Sequence, residues 1–224
     1  MSTEFQTIRI DRDARGVATL SLARAEKHNA LSAQMLDELT EAANLLSHDD
    51  SIRVVILAAD GPTFCAGGDL GWMREQITAD AETRRAGARQ LANMLMAMNT
   101  LSKPVIGRVQ GNAFGGGVGM MAVCDVVVAA RPAKFGLTET KLGLIPATIG
   151  PYVLARMGED KARRVFMSAR LFDAEEAVTL NLVARLADPE DLDAFVEEEV
   201  APYLLCAPGA VAEAKRLARA LDRK

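Results

Sequence analysis

An α/β fold built on a mostly parallel sheet is what this sequence predicts, on three observations. A strand, a glycine loop, a helix and a strand follow one another around 53–70 and again around 104–130, and such alternation implies parallel strands with helices packed on them. The runs RVVILAAD (53–60) and DVVVAA (125–130) are continuously apolar and rich in β-branched residues, which suits strands covered on both faces. Aromatic residues make up only 4% of the 224, while Ala, Val, Leu and Met are many, as in a helix-rich α/β protein. The length allows one well-filled core with an appendage and is too short for two full catalytic domains.

The chain opens on strand-like segments at 5–10 and 16–22, with the turn-prone DRDARG between them, which reads as a hairpin. Ser32 is a good N-cap, and Leu36, Leu39, Ala43 and Leu46 follow at helical spacing, so 33–47 is an amphipathic helix. GPTFCAGGDL (61–70) is a loop leading into a helix. Leu91, Met94, Leu95 and Met98 form the apolar stripe of a longer helix from about 80 to 100, and a stripe of this kind belongs in a core. Ser102-Lys103-Pro104 breaks that helix and PVIGRVQG is the next strand. The segment GNAFGGGVG (111–119) runs into a helix through MMAV, and 125–130 is a strand. Further on, Asp173 with Glu176 resembles a capping box, LVARLAD is a short strand, and Pro189 stands at a first helical position. The remainder, 189–223, is almost entirely helical.

Composition excludes several classes of function. The net charge of −4 and the interspersed acidic and basic residues argue against nucleic acid as the main ligand. Cys65, Cys124 and Cys206 are widely spaced with no CxxC pair, and His28 and His48 lie far from any of them, so no metal site is expected. The N-terminus has no apolar signal core and no apolar run reaches membrane-spanning length, so a cytoplasmic protein is expected.

Two glycine loops carry the chemistry: CAGGDL at 65–70 and AFGGGVG at 113–119. Each precedes a helix, whose first amides have no partner inside it and point outward with the helix dipole behind them. Glycine lets a ligand approach that backbone without a Cβ in the way. Two such loops converging on one point supply two N–H donors from different segments, an oxyanion hole suited to an enolate oxygen. No GxxxxGK[ST] is present and the GGGVG spacing fails the GxGxxG fingerprint, which sets nucleotide phosphates aside. An oxyanion hole needs a proton-transfer group beside it. Glu139 stands among Phe135, Leu137, Leu142, Leu144 and Ile145, either as a salt-bridged turn residue or as a carboxyl kept poised by desolvation. Asp69, at a helix start, and Asp125, at a helix-to-strand junction, read as structural.

The segments RAEKHNALS, FCAGGDL, PVIGRVQGNAFGGGVG with its following CD, and FGLTETKLGLIP together resemble the enoyl-CoA hydratase/isomerase (crotonase) superfamily over essentially the whole chain. Within it, FCAGGDLGWM, GNAFGGGVG and LIPATIGPYVLARMGEDKARR are most similar to methylglutaconyl-CoA hydratase-like members. The resemblance implies a ClpP/crotonase-like spiral of ββα units with a C-terminal helical region. Residues 1–172 would form the spiral core with the coenzyme A site, and 173–224 a mainly helical oligomerisation region building a homotrimer or a dimer of trimers. It places the oxyanion-hole amides at Gly68 and Gly116, the proton carrier at Glu139, and the coenzyme A border at Lys27, Ala30, Ala66, Asp69 and Leu70. Trp72 and Met73 would wall the acyl pocket. No cofactor is implied beyond the coenzyme A of the thioester substrate.

Two departures from the family pattern follow. Two-carboxylate hydratases carry a second glutamate where this chain has Gly119, and family members continue into further helices beyond ARALDRK. The resemblance implies water addition to an enoyl-CoA, of a branched or glutaconyl type, and with Glu139 alone either one carboxylate performs both proton transfers, or another group helps, or the reaction differs. The alternatives are a Δ3,Δ2-enoyl-CoA isomerase using one glutamate and a non-catalytic acyl-CoA-binding protein. A glutaconyl carboxylate would want a cation such as Arg74, Arg108, Lys141 or Arg156.

Overall fold

The structure, a computed structural model, describes residues 4–221. The chain opens on β1 (Ile8–Arg12) and β2 (Val17–Leu22), an antiparallel pair turning at Gly16, whose φ of 85° needs a glycine. Helix α1 (Ala33–His48) begins where Ser32 accepts from the Met35 amide, and it buries Leu36, Leu39, Ala43 and Leu46 as its periodicity requires.

Three turns of one pattern follow. Each sends its first strand to a large sheet and its second to a small one. β3 (Val54–Ala59) is followed by β4 (Thr63–Cys65) and the helices α2 (Leu70–Thr78) and α3 (Ala81–Thr100). β5 (Val105–Val109) is followed by β6 (Asn112–Phe114) and α4 (Gly116–Val123). β7 (Val126–Ala130) is followed by β8 (Lys134–Gly136), a 3-10 turn over Glu139–Leu142, α5 (Gly150–Met157) and α6 (Glu159–Phe166). Then come β9 (Leu171–Asp173), α7 (Ala174–Thr179), β10 (Arg185–Ala187), α8 (Leu192–Leu204) and α9 (Pro208–Leu221). The large sheet runs β1-β2-β3-β5-β7-β10, parallel except for β1 with β2, and the small one β4-β6-β8-β9, parallel except for β8 with β9. This is the spiral of ββα turns that the resemblance implies.

Both faces of the large sheet are covered, which explains its unbroken apolar strands. Along β3, Val55, Leu57 and Ala59 face the main core with Met94, Leu95 and Met98 of α3. The alternating Val54 and Ile56 face Leu192, Val196 and Val200 of α8. Past residue 172 the chain still supplies β10 to the large sheet and Ala174 and Ala177 to the main core.

Several local expectations are corrected. The loop 61–70 contains β4, and β6, β8 and β9 went unread, because three residues are too few to show a period of two. Pro189 does not open a helix: it lies in a turn closed by Asp191 N–H donating to Asp188 O, and α8 starts at Leu192. Asp173 caps α7 by accepting from the Glu176 amide. Glu176 does not complete a capping box, because its carboxylate goes to Arg170 and Arg164. The stretch 189–221 is two helices with a break between Leu204 and Pro208; residues 222–223 of the expected helix lie outside the described part. No described helix is long and apolar enough to cross a membrane.

Candidate active site

The two glycine loops leave neighbouring strands of the small sheet. β4 and β6 are parallel, and Cys65 pairs with Ala113. Gly68 and Gly116 each stand three residues beyond that pair, so the strands deliver them to the same level. Leu31 clips the first loop in place: its N–H donates to Gly67 O at 2.7 Å and its carbonyl accepts from Asp69 N at 2.9 Å. In an extended segment successive amides point to opposite sides, so the Gly68 N–H faces away from Leu31. Gly116 is the first residue of α4, where an amide has no intrahelical acceptor. Among the described residues neither amide donates to another group.

The loops approach so closely that side chains are excluded. A Cβ on Gly67, already at φ 94°, would lie 3.0 Å from Phe114 O and 3.9 Å from Gly116 N. A Cβ on Gly116 would lie 2.6 Å from Leu31 Cδ1. Gly115, at φ 48°, turns the chain into α4 and lets the Glu139 carboxylate lie over it, with Oε1 3.2 Å from where a Cβ would be.

Gly68, Gly116 and Glu139 share a cavity of about 310 Å³. Ala66, Leu70, Trp72 and Met73 line it as well, with Leu31, Leu91, Leu142, Leu144 and Ile149 among the apolar walls. Glu139 makes no salt bridge; its Oε2 is buried with no hydrogen-bond partner among the described residues. Burial pushes its carboxyl above the ordinary value, only partly opposed by its own backbone amide. Of the two readings the sequence left for Glu139, desolvation is what the structure shows.

Gly119 lies inside α4 and is buried. A Cβ there would meet Ile149 Cγ2 at 2.6 Å and Leu95 Cδ2 at 3.7 Å. Isoleucine fills the space a second carboxylate would need.

Other expected residues lie outside the cavity. Lys27 is exposed on a 3-10 turn, and Ala30 and Asp69 stand behind the walls, though Ala66 N donates to His28 O and so joins that segment to the first loop. Asp69 caps α2, accepting from Gly71 and Trp72; these donors and Arg24 outweigh the effect of burial and hold its carboxyl below the ordinary range. Asp125 accepts from Val105 N and Lys215, a structural role. Arg108 is paired with Asp193, Arg156 donates to the carbonyls of Asp125 and Cys124, and neither they nor Arg74 nor Lys141 line the cavity.

Two residues were missed. Asn29, fully buried at φ 53°, donates to Asp60 O and Thr63 O while accepting from Arg24 N. Arg24 reaches both Ala30 O and Asp69. A polar residue amid HNALS, just before a helix cap, was the signal for Asn29; Asp60, Thr63 and Asp69 lie too far along the chain for their part to be inferred.

The chain matches the Enoyl-CoA hydratase/isomerase family over residues 12–222. A Mycobacterium bovis protein named "Probable enoyl-CoA hydratase echA8" is 38% identical over 189 residues, which is 84% of this chain and 71% of the relative. The mitochondrial methylglutaconyl-CoA hydratase of Mus musculus is 32% identical over 187 residues, 83% of this chain and 59% of its own length. The crystal structure of an enoyl-CoA hydratase from Shewanella pealeana superposes with a TM-score of 0.94 at 36% identity, covering 98% of this chain and 82% of that one. An α/β spiral with two converging glycine loops and a carboxylate above them defines a crotonase-fold protein. The chain belongs to the enoyl-CoA hydratase/isomerase family.

Proposed function

We propose that the protein adds water reversibly across the α,β double bond of an enoyl-CoA thioester. The observation that carries this reading is the meeting, on one apolar cavity, of two free amides with a desolvated carboxylate. The amides of Gly68 and Gly116 hold the thioester oxygen as it takes up charge. Donors fixed in advance need no reorganisation and are worth more away from water. Glu139 holds the water through its carboxylate and takes one of its protons as the oxygen bonds to Cβ. It then returns that proton to Cα, so one carboxyl performs both transfers and ends as it began. Its raised affinity for a proton suits a group that must accept and donate in one cycle.

Lys27, Ala30, Ala66, Asp69 and Leu70 border the coenzyme A moiety in this reading, and the acyl chain lies among Trp72, Met73 and Leu91. Of the branched and glutaconyl acyl types, the cavity favours the branched apolar one. No Lys or Arg lines it among the described residues, and a free substrate carboxylate would face Glu139. The exposed apolar side chains Leu205, Leu217 and Leu221 on the C-terminal helices are the contacts of a homotrimer or a dimer of trimers, which sedimentation would test.

The test is to offer a 2-enoyl-CoA and follow loss of the conjugated thioester absorbance. A second reading, Δ3,Δ2-enoyl-CoA isomerisation with the same hole and base, draws on the closure of position 119 by Ile149. It requires that a 3-enoyl-CoA gain that absorbance. An enzyme active only in this second assay overturns the hydratase reading. A protein that binds acyl-CoA and turns over neither substrate supports a binding role instead.

A further inference from the structure

The Gly68 amide is aimed by very little backbone. Gly67 precedes it in a left-handed conformation open to glycine, and its neighbours are held by two hydrogen bonds with Leu31, one donated by Leu31 N to Gly67 O and one accepted by Leu31 O from Asp69 N. One side chain spans this contact. Arg24 donates through Nη1 to Ala30 O at 2.8 Å and through Nη2 to Asp69 Oδ2 at 3.2 Å. Ala30 comes immediately before Leu31 and Asp69 immediately after Gly68, so the guanidinium ties the two segments across the clip that orients the amide.

The tie is itself well anchored. The Arg24 amide donates to Asn29 Oδ1 and its carbonyl accepts from Lys27 and Asn29. Its side chain and that of Asp69 are 18% and 20% exposed, so the pair is little screened by solvent. Asp69 divides its work: Oδ1 caps α2 and Oδ2 takes the arginine. The planar fork of arginine reaches a carbonyl and a carboxylate together, which a lysine ammonium does as a point charge without that geometry.

We propose that Arg24 is a positioning residue for the oxyanion hole, fixing the Gly68 amide through Ala30 and Asp69 without touching substrate. The proposal rests on the reading of the Gly68 amide as a donor to the thioester oxygen, and the experiment separates the two.

Arg24→Gln, Arg24→Lys and Asp69→Asn are compared with the unaltered protein in two measurements, with thermal melting as the check on folding. The first is turnover of a 2-enoyl-CoA. The second is the absorbance of a bound cinnamoyl-type CoA thioester, which moves to longer wavelength when donors polarise its carbonyl and needs no turnover. Arg24→Gln is expected to lower kcat by about tenfold to a hundredfold, less than outright loss of an oxyanion donor, with KM changed by less than about threefold. It loses most of the absorbance shift. Arg24→Lys recovers part of both, and Asp69→Asn, which keeps the cap oxygen, matches Arg24→Gln. Should Arg24→Gln fail to fold, the lysine and asparagine variants carry the same comparison. A folded Arg24 variant with unchanged kcat and unchanged shift overturns the proposal, as does a loss that only follows the folded fraction. If the unaltered protein shifts the probe but turns over no enoyl-CoA, the hydratase reading fails and the shift alone decides for Arg24. If it shifts no probe, the hole and the positioning role fall together.

Discussion

Glu139 carries its charge in surroundings that resist it, and two outcomes follow at the scale of the residue. Its carboxyl is raised by burial, so the folded protein binds this proton more tightly than the unfolded chain does. Its contribution is therefore fully present below the ordinary glutamate value and is lost as pH rises through the raised one. Glu139→Gln is expected to melt at or above the temperature of the unaltered protein near about pH 7, with the advantage shrinking toward about pH 4, by calorimetry across that range. The same variant should lower kcat by about a hundredfold or more while acyl-CoA binding persists, since the proposed proton carrier is gone and the walls remain. A Gln variant with full turnover would remove Glu139 from the mechanism. The sequence marked this residue by its apolar neighbours but left a salt-bridged turn open beside desolvation, and only the buried, unpartnered Oε2 separates the two. Arg24 went unmarked, because its partner Asp69 is 45 positions away and nothing local marks an arginine as a tie.

At the scale of the element, α4 shows why its glycines are there, and the answer differs from the one the sequence suggested. Gly115 is bare because it turns at φ 48° beneath the Glu139 carboxylate, and Gly116 because Leu31 Cδ1 would lie 2.6 Å from its Cβ. Gly117 is bare because the helix presses on β4, with a Cβ placed 2.6 Å from the Cys65 carbonyl oxygen. Gly117→Ala should therefore cost about 1–3 kcal/mol by denaturant unfolding, since backbone cannot step aside as a flexible side chain can. Gly119→Glu should be worse, because it drives a carboxylate into Ile149 and Leu95. Adding Ile149→Ala should recover part of the loss in the same unfolding assay, and no recovery would mean that Ile149 is not the obstacle. The long elements were legible from caps and periodicity: Ser32 and Asp69 each accept from the first turn of the helix they open, and α3 follows the stripe of Leu91, Met94, Leu95 and Met98, while its Asp80 cap went unread. The small sheet was not, since its strands are three residues long and depend on tertiary pairing for their shape.

Over the whole molecule, Lys215 hydrogen-bonds the C-terminal helix to the rest of the fold. α9 buries no residue completely, and Lys215 reaches from it to Asp125 Oδ2 at 2.7 Å and Lys103 O at 3.1 Å. Lys215→Met should raise amide exchange along α9 while leaving β5 and β7 protected, a pattern that mass spectrometry would resolve; uniform protection would show the helix held otherwise. The large sheet, by contrast, is covered on both sides and was foreseeable from its unbroken apolar strands. The adjacency of β4 and β6 has a wider consequence. Because Gly68 and Gly116 stand at the same offset from one strand pair, the gauge of the proposed hole is inherited from the spacing of a parallel sheet, about 4.8 Å. That gauge is independent of Trp72, Leu91, Leu144 and the other side chains that shape the acyl cavity. On the proposed chemistry, those walls are free to diverge and admit new thioesters while the grip on the carbonyl stays calibrated, so selectivity and activation are separately heritable traits of one chain.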